Sequence, residues 1–115
     1  NPDVQLGLAW VQLYGGRAAE AHTTFESIHR AEPNPHALFG AALALMQLER
    51  LDEAERSFRE VLVLDPSYWQ AWGNLGDLYD KQGKLDKAAE AFGKVIELNP
   101  QDQMAREWLR GHRGR

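Results

Sequence analysis

The sequence predicts an all-α protein whose short helices pack in antiparallel pairs. Three observations predict this. Apolar residues recur at helical spacing, as at Trp72, Leu75, Gly76 and Tyr79, which fall at i, i+3, i+4 and i+7. One apolar signature appears three times at almost constant intervals. Ala21, Phe25, Ile28 and Pro33 are followed 33 residues later by Ala54, Phe58, Val61 and Pro66, and 34 residues after that by Ala88, Phe92, Val95 and Pro100. Glycines break the pattern inside the copies, at Gly15-Gly16 and Gly83.

Composition bounds what such a chain can be. With 115 residues, 43% hydrophobic and 26% charged, it is long enough for one domain with a modest core and too apolar to be disordered. A net charge of −4 gives no global positive field to attract nucleic acid or anionic lipid, so neither is expected as a partner. There is no cysteine, which excludes disulfides and thiolate metal sites. No apolar run approaches the ~20 residues that span a bilayer. The chain begins at Asn1 with no signal peptide visible, and we expect an excised domain or a processed chain.

The most regular stretch, residues 69–102, identifies the unit. The order W-x2-L-G-x2-Y over residues 72–79, A-x3-F over 88–92 and the closing Pro100 resembles the tetratricopeptide repeat, a helix–turn–helix unit of 34 residues. The resemblance implies a right-handed α-α superhelix (a solenoid) of three such repeats, about 2–34, 35–68 and 69–102. A C-terminal capping helix over about 101–111 would complete a single domain, 1–111.

Each element has its own justification. In the first repeat, an A helix over 3–14 ends at Gly15-Gly16, and a B helix follows over 18–31. Gln5 and Gln12 take the Trp and Tyr positions while Leu8 and Ala9 fit, the departure expected of a terminal repeat. In the second, Pro35 suits a first helical turn, because its missing N–H would be unpaired there anyway. Leu38, Ala41, Ala42 and Leu45 form its apolar face. Asp52 with Glu55 fits a capping box for the next helix, and Asp86 is the expected N-cap of the last B helix. Met104, Ala105, Trp108 and Leu109 lie on one side of the cap, and residues 112–115 are expected to fray. Arg106, Arg110, Arg113 and Arg115 read as cations complementing a helix C-terminus. The core expected from these faces includes Leu8, Phe25, Leu38, Phe58, Leu75, Phe92 and Leu98.

Catalytic chemistry finds no support. His22, His29, His36 and His112 are scattered; the first two lie two turns apart, about 10 Å, too far to share a metal directly. Ser27, Ser57 and Ser67 lie in no nucleophile elbow, and no glycines form a phosphate loop. Catalytic, metal and cofactor sites are therefore not expected.

The resemblance places binding on the A-helix side away from the Trp/Leu/Gly/Tyr face. Leu6, Trp10, Leu13, Tyr14, Phe39, Leu43 and Met46 would line the apolar part of that groove, as a solvent-facing patch surplus to the core. Asn74, Asp77 and Asp80 would make its last part polar and acidic. Family members that clamp a peptide's C-terminal carboxylates use Lys, Arg and Asn. Here Gly7, Trp10 and Gln70 stand where those residues are expected, so a carboxylate clamp is rejected. The expected function is a non-catalytic scaffold for a protein or peptide with an apolar segment and a basic end. The alternative is a self-association module, or an internal packing segment of a larger protein.

Overall fold

The computed structural model describes residues 2–112. It contains seven helices: α1 (Pro2–Tyr14), α2 (Ala18–Ala31), α3 (Pro35–Gln47), α4 (Leu51–Leu64), α5 (Trp69–Lys81), α6 (Leu85–Leu98) and α7 (Gln103–Gly111). No strand occurs among the described residues. The chain divides into two compact units, Asn1–Asp65 and Pro66–Arg115. In the first, α1 packs on α2, α2 on α3 and α3 on α4; in the second, α6 packs against both α5 and α7.

The three turns inside the helical pairs share one backbone solution. Gly16, Glu49 and Gly83 occupy the same place in each, with φ of 82°, 61° and 75°. The next residue's N–H then reaches back five residues: Arg17 N to Gln12 O at 2.8 Å, Arg50 N to Leu45 O at 2.9 Å, Lys84 N to Tyr79 O at 2.8 Å. A left-handed residue closing a helix this way satisfies carbonyls that would otherwise be orphaned.

This closure overturns two capping expectations. Helices α4 and α6 start at Leu51 and Leu85, with Arg50 and Lys84 as N-caps and no side-chain cap hydrogen bond. Asp52 and Asp86 lie inside the first turn, where their charge complements the helix dipole. Side-chain caps occur instead at Asn34, which accepts from His36 N and Ala37 N, and at Asp102, which accepts from Ala105 N at 2.9 Å.

The first unit's core joins Ala9 and Leu13 of α1 to Ala21, Phe25 and Ile28 of α2 and Ala37, Ala41 and Ala44 of α3. In the second, Leu75, Leu78, Tyr79, Ala88, Phe92, Val95 and Ala105 are buried. Two expected core residues are not. Leu8 is 52% exposed because α1 contacts its neighbours through the opposite side, and Leu98, in the last turn of α6, is 40% exposed. Met104 on α7 is also exposed, at 69%.

The expected frayed tail begins too early at 112. His112 caps α7, with Nδ1 2.8 Å from the carbonyl oxygen of Trp108 and its ring stacked on the Trp108 ring at 3.9 Å. Arg113 and Arg115, and the expectation attached to them, lie outside the described residues.

Candidate functional site

The first unit corrects the expected apolar patch. Leu13, 2% exposed, belongs to the core, and Phe39, 9% exposed, packs edge-on against Phe58 with ring centroids 5.8 Å apart. Leu6, Trp10 and Leu43 are half-buried against the core. The reason is geometric. A helix flanked by neighbours on two sides buries a stripe wider than one face, so residues counted as surplus are already used. Trp10 meets the Phe25 ring edge-on at 5.0 Å and stacks on Tyr14 at 5.9 Å. Tyr14 remains open at 80%, and Met46 is half-exposed. What the first unit offers a partner is thus a ledge built on Trp10 and Tyr14.

The second unit holds a better-formed site. Gln70, Gly73, Asn74 and Asp77 fall at i, i+3, i+4 and i+7 on α5, which is one helical face. They form one wall of a cleft of about 150 Å³. Phe92 and Val95 of α6 supply an apolar floor, and Asp102 and Met104 line it from the start of α7. The aromatic floor is fixed from behind, because Trp108 lies against Phe92 at 4.8 Å.

The electrostatics of the cleft are one-sided. Burial, and then the neighbouring Asp80 carboxylate, push the Asp77 carboxyl above its ordinary range, while Lys81 pulls the other way. Asp77 makes no ion pair or side-chain hydrogen bond among the described residues. Asn74 donates from Nδ2 to the Gln70 carbonyl at 3.0 Å, which leaves its Oδ1 facing outward as an acceptor. Asp80 is exposed and lies outside the cleft lining. The site therefore presents acceptors and negative charge above an aromatic floor.

A family model described as "Tetratricopeptide repeat" matches residues 6–68 and again 41–103. This chain belongs to the tetratricopeptide repeat family. Among curated proteins, mouse "DnaJ homolog subfamily C member 3" is 30% identical over 110 residues, covering 93% of this chain and 22% of that protein. The Arabidopsis thaliana "Tetratricopeptide repeat domain-containing protein PYG7, chloroplastic" is 38% identical over 58 residues, 50% of this chain and 19% of that protein. The chain thus spans about a fifth of the length of these two relatives. Among solved structures, the first tetratricopeptide domain of Spaghetti (RPAP3), bound to the HSP90 peptide SRMEEVD, matches 96% of this chain and 88% of that one. Its TM-score is 0.89 and its sequence identity 25%. The fold is accordingly an all-α solenoid of tetratricopeptide type.

Within this tetratricopeptide chain, the structure adds residues that the groove positions alone do not contain. Phe92 and Val95 count in the sequence only as core, yet they floor the cleft. Asp102 carries a readable signal: an Asp shortly after Pro100 and just before an amphipathic stretch is an N-cap pattern. Gly40, a nominal groove position, is buried against the Phe25 ring.

Proposed function

We propose that this tetratricopeptide chain is a non-catalytic protein-interaction scaffold for a partner segment that carries apolar and basic side chains. The observation that carries the reading is Asp77, an unpaired carboxylate above the Phe92–Val95 floor. A lysine or arginine suits that site twice over. Its aliphatic stem lies on the apolar floor while its charged head meets the carboxylate. The ledge at Trp10 and Tyr14, with Leu6, Leu43 and Met46 beside it, offers separate purchase for apolar side chains. Tetratricopeptide repeats are generally interaction modules, and the similar RPAP3 domain is bound to a peptide. That peptide carries three carboxylate side chains and one arginine. The acidic cleft described above suits the opposite charge.

Fluorescence anisotropy with short labelled peptides tests the reading. Peptides mixing Leu or Phe with Arg should bind, and Asp77→Lys should weaken them by about tenfold or more. Tighter binding of an acidic peptide of the same length, or indifference to Asp77→Lys, sinks it.

A further inference from the structure

Val4, Leu8 and Val11 form a ridge along α1, exposed at 67%, 52% and 69%. Spaced by four and three residues, they share the side of the helix opposite Ala9 and Leu13. The repeat shows what such a ridge normally meets. Thirty-three residues later stand Ala37, Ala41 and Ala44 of α3, each 0% exposed and in one cluster with Phe25 and Ile28 of α2. The same side of a helix is therefore covered by another helix in α3 and left open in α1, where its side chains are also larger.

We infer that this ridge is a self-association surface on which a second copy of the chain seats its own α1, antiparallel. The spacing is self-complementary. With Leu8 against Leu8 at the two-fold axis, Val4 packs beside Val11 of the second copy. Gly7, next to Leu8, has open space around it, so the two backbones meet no bulk there. Charge agrees. Asp3 is the one charged residue of α1, and antiparallel pairing holds the two Asp3 carboxylates about 15 Å apart along the axis. Beside the ridge, a recess of about 280 Å³ opens at Gln5 and is lined by Ile28 and Ala31. Val11 of the second copy projects toward it. Neither Trp10 nor Asp77 takes part, so this surface is independent of the peptide site proposed above.

A single pair of 13-residue helices buries less than the ~800 Å² per partner of a standard interface, so the dimer is weak and reversible. Sedimentation velocity of the whole chain should show a monomer–dimer equilibrium with a midpoint on the order of 100 μM. Leu8→Glu should weaken dimerisation by about tenfold or more with an unchanged helical circular dichroism spectrum, because Leu8 is already half in water. The sequence has no cysteine, so Leu8→Cys introduces a single thiol. Near the two-fold axis it should oxidise readily to a disulfide-linked dimer. Tyr14→Cys should not, since antiparallel pairing places the two copies of that position about 18 Å apart. A chain that stays monomeric to about 1 mM, a dimer indifferent to Leu8→Glu, or equal cross-linking from both positions overturns the inference.

Discussion

A Cβ placed on Gly40 would lie within 2.7 Å of Cε1, Cζ and Cε2 of Phe25. The absent side chain is what lets α3 close on the largest core residue of α2. Gly40→Ala gains helix propensity of about 1 kcal/mol but forces the ring off its position, at a cost of about 1–3 kcal/mol or more. The balance should be net destabilisation. Gly93→Ala serves as the control: a Cβ there meets nothing within 4 Å, so urea midpoints should rise for it and fall for Gly40→Ala.

Glu49 occupies a left-handed backbone position, φ 61°, where the equivalent turns use Gly16 and Gly83. An L side chain in that region costs roughly 1 kcal/mol. Glu49→Gly should therefore stabilise the chain by about 0.5–1 kcal/mol after the entropy of the more flexible unfolded chain is subtracted. Thermal melts of the variant against the parent check this, and a lower melting temperature would refute it.

Asp77 gives the chain a pH signature. Burial raises its folded carboxyl pKa above the ordinary 3.8, so the folded state holds the proton more tightly than the unfolded state. Ionised Asp77 thus opposes folding at neutral pH, and that opposition is relieved as pH falls through the raised value toward 3.8. Asp77→Asn should stabilise the fold slightly at pH 7 and make no difference near pH 4 or below. Denaturant titrations at both pH values measure it. Over the same window the parent's affinity for a basic peptide should fall, because protonation removes the charge that the cleft offers.

The N-cap of α7 is Asp102, whose carboxylate accepts from Ala105 N. Asp102→Ala should cost about 1 kcal/mol and loosen α7 first, which amide exchange at residues 105–107 would report. Asp86→Ala, inside the first turn of α6 and making no cap, should cost a few tenths of a kcal/mol by losing a dipole contact alone. Equal costs for the two would mean that both helices begin at their aspartates.

Legibility in the sequence followed the strength of the period. The signature at Ala21, Ala54 and Ala88 placed every B helix to within one residue, because an amphipathic helix with one buried stripe writes that stripe plainly. The A helices were harder. From Ala37 to Ala42 every residue of α3 is buried, so no face stands out by composition. Leu13 and Phe39 consequently read as groove residues when they are core, and Leu8 as core when it is surface. The acidic wall at Asn74 and Asp77 was readable because polar residues at helical spacing need no partner to be noticed. The floor beneath them was not, since Phe92 and Val95 look like any other buried pair.

The sequence by itself determined the seven helices, the near-equal repeat and the family, because local spacing and turn residues encode them along the chain. Tertiary structure alone decided which sides of α1 and α3 are covered, how the pairs close, and what lies beneath Asp77. Those depend on which neighbour occupies each side of a helix, and an apolar residue has the same identity whether it meets a neighbour or water.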